Sequence, residues 1–125
     1  MLLVKTYIAQ SPIHNLGLFA DQFIAAGTEL WRFTPGYDLE IELDAFKNLP
    51  EHVKQFLDHY GYLDSHLNRF ILCFDNARFI NHSEDSNSRP DYSKELHGVD
   101  VAIRDISQGE EITTDYRLFA KVPSV

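Results

Sequence analysis

The 125-residue sequence holds a single cysteine, Cys73, which excludes a disulfide framework within the chain and any zinc site built from cysteines. No apolar run approaches the ~18 residues of a membrane-spanning helix, so no membrane contact is expected. The opening segment MLLVKTYIAQ lacks the basic start and apolar core of a secretory leader. The expected location is therefore cytoplasmic or nuclear, not secreted. Cations are scarce too: 11 Lys and Arg stand against 19 Asp and Glu, for a net charge of -8. Binding to a phosphate backbone needs clustered Lys and Arg, so no direct nucleic-acid contact is expected. The sequence has no glycine-rich phosphate loop with lysine, no G-x-S-x-G elbow and no H-E-x-x-H motif. Its six histidines (14, 52, 59, 66, 82 and 97) lack ligand spacing, and no metal site is expected.

What is present describes an ordinary globular domain. Hydrophobic residues make up 44% and charged residues 24%, which excludes intrinsic disorder. The length fits one domain over residues 1–125. Acids crowd one stretch: Asp38, Glu40, Glu42, Asp44, Glu51, Asp58 and Asp64 stand against Lys47 and Lys54. Such a face either keeps the protein soluble or attracts a basic partner.

Turn signals at Ser11-Pro12, Ala26-Gly27, Pro35-Gly36 and Gln108-Gly109 separate short apolar or alternating runs. These predict strands over 2–9, 16–20, 28–33, 37–43, 69–74, 99–104 and 111–114. One segment reads as helix, with Asp44 as N-cap, Pro50 in the first turn of a second piece and Gly61 as the stop. Val53, Phe56, Leu57 and Tyr60 fall on one helical face, a spacing that predicts core packing. The stretch from Asn81 to Arg89 reads as a polar loop closed by Pro90. Many short strands with a modest helix predict an α+β domain, mostly β. Cys73, inside the apolar run RFILCF, reads as an inert core residue.

Three segments carry candidate chemistry. In HNLGLFA (14–20), Gly17 between apolar residues marks a close backbone approach by a ligand or a neighbouring strand. In ARFINHS (77–83), Asn81 and His82 stand at the edge of an apolar run, where an Asn offers both carbonyl and amide. The alternative there is an Asx turn that satisfies its own backbone. In GEEITTDY (109–116), Tyr116 offers a hydroxyl to orient a reacting group, or else is a packed aromatic.

Taken in order, these segments resemble the SET-domain family of protein lysine methyltransferases, over roughly Leu3 to Tyr116. RFINHS with Asn87 is similar to the family's N-H-S motif and its D-x-N continuation, GEEITTDY to its terminal G-E-E-L-x-x-D-Y, and HNLGLFA to its opening G-x-G motif. The resemblance implies small β-sheets with a C-terminal pseudoknot and one short helical insert. It further implies S-adenosylmethionine as cofactor and a lysine-containing protein or peptide as substrate, entering from opposite faces, and the acidic face makes a basic substrate the expectation. Leu16, Gly17, Leu18, Asn81 and His82 would hold the cofactor, and Tyr116 would be the catalytic channel tyrosine. Tyr60-Gly61-Tyr62-Leu63-Asp64 resembles the family's Y-x-F-x-L-D element, one residue short. This adds Tyr60 to the cofactor side and Tyr62 to the channel.

The sequence departs from the family at four places. Asn15 replaces the first glycine of G-x-G, a substitution tolerated because Asn accepts left-handed backbone. Glu84 follows N-H-S where many members have Cys. Thr114 stands where many carry the Phe or Tyr that sets product number. No cysteine-rich segment follows Tyr116, so the cover of the lysine channel falls to the tail through Phe119, to a second copy of the chain, or to the substrate. Leu118, Phe119, Val122 and Val125 would give such a homodimer its patch. The competing reading is a SET-like interaction module without turnover.

Overall fold

The computed structural model describes residues 1–121. Its strands are Thr6–Gln10 (β1), Leu16–Ala20 (β2), Glu29–Arg32 (β3), Leu39–Glu42 (β4), Tyr62–Asp64 (β5), Arg69–Leu72 (β6), Asn81–His82 (β7), Ser88–Asp91 (β8), Val99–Ala102 (β9), Thr113–Thr114 (β10) and Ala120–Lys121 (β11). Two helices, Leu43–Lys47 (α1) and Glu51–Tyr60 (α2), lie between β4 and β5. This is the expected α+β, mostly-β class.

The strands form three small sheets. β1 and β2 make an antiparallel hairpin, with Thr6 opposite Ala20 and Gln10 opposite Leu16. The turn between them passes through Asn15 at φ 36°, in the left-handed region that Asn tolerates. A second sheet runs β3-β9-β8-β10-β7, and a third β11-β5-β6-β4. The main apolar cluster joins Leu18, Ile24, Leu30, Trp31, Ile71, Ile106 and Ile112. A smaller one gathers Phe46, Leu57, Leu63 and Phe70 under the helices.

One crossing positions everything that follows. β7 and β8 are consecutive in the chain, yet β10 is hydrogen-bonded between them, parallel to both. The C-terminal segment therefore runs beneath the 83–87 connection. Buried side chains fasten it there. Asn87 Nδ2 donates to Glu111 O at 2.8 Å, and Thr113 N donates to Asn87 Oδ1 at 2.9 Å. Ser88 Oγ donates to Thr113 O at 2.6 Å. Each bond replaces a ladder partner that a two-residue strand is too short to supply.

The structure corrects several boundaries. The 81–89 stretch is no plain loop: Asn81 and His82 pair with Thr113 and Thr114, and Pro90 lies within β8. β10 reaches β8 only at Ser88, so Pro90 has an unpaired side where its missing N–H costs nothing. The first strand begins at Thr6, while Leu2 makes a separate bridge to Trp31. Asp44 lies inside the first turn of α1 and does not cap it. Pro50 is the N-cap of α2 and not a residue of its first turn.

The helical stripe also divides. Leu57 is buried and Val53 packs beside it, whereas Phe56 is 45% exposed and Tyr60 turns toward Phe79. Gly61 ends α2 in extended conformation, at φ -110°, not in a left-handed cap. Glycine is required there for another reason. A Cβ would lie 2.6 Å from Ile71 O and 2.9 Å from Leu57 O.

Candidate active site

Asn81 is the hub of the first half of the site. Its Nδ2 faces four acceptors: Glu111 Oε2 at 2.9 Å, Leu16 O at 3.1 Å, Ser11 Oγ at 3.2 Å and His14 O at 3.3 Å. Two amide hydrogens shared among them fix the 11–16 turn against β7. Ser11 Oγ also donates to Glu111 Oε1 at 2.8 Å. The close approach expected at Gly17 is real, and the neighbour is Glu111. A Cβ at Gly17 would collide with its Oε2 and lie 3.0 Å from Ser11 Cβ.

Tyr116 belongs to the second half and leans on the first. Its backbone N–H donates to His82 Nδ1 at 3.0 Å, and its hydroxyl donates to Ile80 O. Ring position and hydroxyl direction are thus both set by the segment from Ile80 to His82. Burial pushes the Tyr116 phenol up, so it stays a neutral donor. Beside it, Arg117 Nη2 and Nε reach Asp115 at 2.7 and 2.9 Å and hold that carboxyl down at about 2.

Two cavities meet at this tyrosine. One, of about 540 Å³, is lined by Ile13, His14, Asn15, Leu16, Phe79, Asn81 and His82. The other, of about 600 Å³, is lined by Tyr62, Thr114, Phe119, Trp31, Tyr92 and Asp100 among others. His59, Tyr60, Arg78, Ile80 and Tyr116 line both. Arg78 is fixed at this junction, donating from Nη2 to Cys73 O at 2.9 Å with its guanidinium 5.7 Å from the Tyr60 ring centroid. Phe119 closes edge-on against Tyr62 at 4.9 Å and Tyr116 at 5.8 Å. β11 follows it directly, pairing Ala120 with Asp64 and Lys121 with Leu63.

The structure places the sequence candidates as follows. Leu16, Tyr60, Asn81 and His82 line the smaller cavity, and Tyr60, Tyr62, Thr114, Tyr116 and Phe119 line the larger. Gly17 and Leu18 line neither. Leu18 is core at 0% exposure, and Gly17 packs on Glu111. Thr114 is buried with its Oγ1 unpartnered. Cys73 is buried, and burial pushes its thiol well up, as expected of an unreactive core cysteine. Val122 and Val125 lie outside the described residues.

Sequence reasoning missed Ser11, Arg78, Asp100 and Glu111. Ser11 and Glu111 stood beside recognised segments, but nothing local signalled that residues a hundred positions apart would share a hydrogen bond. Among the described residues no group of three or more His, Cys, Asp or Glu is placed to hold a metal ion. No helix among them is long and apolar enough to cross a membrane.

Comparison with known proteins gives the relationship. The SET-domain family model matches residues 15–117. Among solved structures, the Chaetomium thermophilum Polycomb Repressive Complex 2 bound to GSK126 is similar with a TM-score of 0.71 and 26% identity, over 93% of this chain and 16% of that chain. The same complex in an autoinhibited conformation bound to S-adenosylmethionine gives 0.68 and 23%, over 94% and 16%. A Plasmodium falciparum protein described as a candidate histone methyltransferase gives 0.62 and 22%, over 92% of this chain and 95% of that one. This chain thus spans about one-sixth of the Polycomb chains that it matches. No curated protein matches it.

Proposed function

The chain belongs to the SET-domain family, and from that premise we propose that it is a protein-lysine N-methyltransferase, a single SET domain over residues 1–125. The observation that carries the reading is the pair of cavities meeting at Tyr116, which lets two reactants reach one hydroxyl from two sides.

S-adenosylmethionine is the proposed cofactor, and its sulfonium supplies an already electrophilic methyl group. The smaller cavity has the size of a small-molecule site and mixes polar groups with aromatic ones, as such a ligand requires. Leu16, Tyr60, Asn81 and His82 would hold it, and Gly17 and Leu18 would act only through the β2 backbone that carries Leu16. The complex of a structural relative with S-adenosylmethionine supports this choice.

The larger cavity is the proposed lysine channel, with Tyr62, Thr114 and Phe119 as walls. An amine with a pKa of ~10.4 needs about 4–5 kcal/mol to arrive neutral at pH 7. Aromatic walls that exclude water lower that cost by disfavouring the ammonium form. Tyr116 would orient the reacting centre, its hydroxyl held by the carbonyl of Ile80 where the two cavities meet. Of the three candidate covers for the channel, the tail is favoured by the contacts of Phe119 with Tyr62 and Tyr116.

The proposed substrate is a basic protein segment, drawn by a net charge of -8, in the cytoplasm or nucleus. Radiolabelled methyl transfer from S-adenosylmethionine into core histones and a proteome extract tests the reading. Label on lysine is expected. S-adenosylhomocysteine at 100 times its Kd should also stabilise the protein by about 2.7 kcal/mol. Stabilisation without transfer to any protein would favour the interaction module, and no stabilisation would overturn both.

A further inference from the structure

The mechanism above makes no use of Asp100, a half-buried acid of β9. Asp100 sits in the middle of a row across the second sheet, with Trp31 opposite it on β3 and Pro90 opposite it on β8. All three line the larger cavity. Tyr62 of β5, Cys73, Tyr92 and His97 line it as well. The recess is therefore a carboxylate set among the aromatic rings of Trp31, Tyr62 and Tyr92.

Among the described residues nothing neutralises that carboxylate. Asp100 takes part in no ion pair, and of the basic groups lining the cavity His97 is engaged with Glu40, Arg117 with Asp115 and Arg78 with Cys73 O, while Lys121 stands on β11, which pairs with β5 and not with β9. Burial pushes the Asp100 carboxyl up to about 7, while the N-terminal amine pulls weakly the other way. The same charge adds to the burial that raises Tyr62, Cys73 and Tyr92, which puts these groups within electrostatic reach of it. An isolated ionised carboxylate in an apolar wall is costly, and a cation arriving beside it removes that cost. Aromatic faces attract the same kind of ligand.

We propose that the Asp100 recess is a cation-binding subsite of the larger cavity that admits alkylammonium side chains and rejects neutral ones of the same shape. The inference rests on the methyltransferase reading only in making the occupant a substrate lysine. Asp100 is a specificity residue here and not the proton acceptor. A carboxylate beside the amine favours its charged form, so the recess holds the incoming side chain before transfer, and the amine leaves it before the neutral form is needed.

The test titrates n-butylammonium and n-butanol, which share a chain and differ in charge, into the full chain at pH 8, followed by NMR. The wild type should prefer n-butylammonium by about tenfold or more, with shifts centred on Trp31, Tyr62 and Tyr92. Asp100→Asn, which keeps the shape, should abolish the preference, and Asp100→Glu should retain part of it. Equal affinity in the wild type, undetectable binding of either probe, or an unchanged preference in Asp100→Asn would overturn the proposal. S-adenosylhomocysteine, added separately, distinguishes the two readings. Stabilisation by it without cation preference sinks the recess alone, and cation preference without stabilisation sinks the cofactor reading alone.

Discussion

A single hydroxyl separates tyrosine from phenylalanine, and at position 116 that hydroxyl donates to Ile80 O at the junction of two cavities. Tyr116→Phe keeps the ring against Phe119, so the unfolding midpoint should barely move while methyl transfer falls on the order of 10-fold or more. Full activity in the variant would remove the hydroxyl from the reaction. Asn81→Ala acts on the fold as well as the site. It leaves Glu111 and the carbonyls of His14 and Leu16 short of a donor, so denaturant titration should show a loss of roughly 1–3 kcal/mol.

Asp100 gives a pH signature. Its folded pKa, about 7, lies above the ~3.9 of an unfolded aspartate, so the native state holds more protons between those values. The stability tied to the protonated acid is complete below about pH 4 and is lost as pH rises through 7. Relative to Asp100→Asn, the wild type should therefore lose thermal stability from pH 4 to about 7.5 and level off above. A constant offset across that range would contradict a desolvated acid with no ion pair. Asp115 has the opposite sign: its stabilising contribution is present above ~3.9 and fades as pH falls through about 2, outside this window.

At the scale of elements, the strands were legible wherever a turn signal bounded an apolar run. The hairpin of β1 and β2 follows from Ser11-Pro12 and the apolar residues on each side. The helical segment was legible in place and in its two pieces, but not in its caps or in which residues of its stripe are buried. Asn48–Pro50 breaks it in two, and only part of the stripe finds a core because Phe56 and Tyr60 lie outside the small cluster under α1. Gly61→Ala probes the junction that follows. The new methyl would press on two backbone carbonyls that cannot turn away, so a loss of roughly 1–3 kcal/mol is expected by denaturant titration. An unchanged midpoint would mean that α2 and β5 separate at little cost.

At the scale of the whole molecule, the C-terminal segment both ties the crossing and walls the larger cavity. Deleting Leu118 to Val125 removes Phe119, the pairing of β11 with β5, and the bond from Ser65 N to Phe119 O at 2.7 Å. Stabilisation by S-adenosylhomocysteine should survive, because the smaller cavity loses no wall. Methyl transfer should fall on the order of 10-fold or more as water reaches the channel. Full activity in the truncated protein would pass the role of cover to the substrate or to a second copy, which sedimentation at micromolar concentration then separates.

The sequence by itself determined the family, the mostly-β class and the three segments that meet, because turn residues, alternation and ordered motifs are local properties of the chain. It also read Asn81 and His82 at the edge of an apolar run, and both line the smaller cavity just after Ile80. Only tertiary structure decided which residues of β2 face the cavity and which face the core, since that depends on the neighbour that Gly17 meets. It alone joined Ser11 to Glu111 and turned Asp100 into a cavity. Those pairings are set by the passage of β10 between β7 and β8, a relation between distant segments that no local pattern encodes.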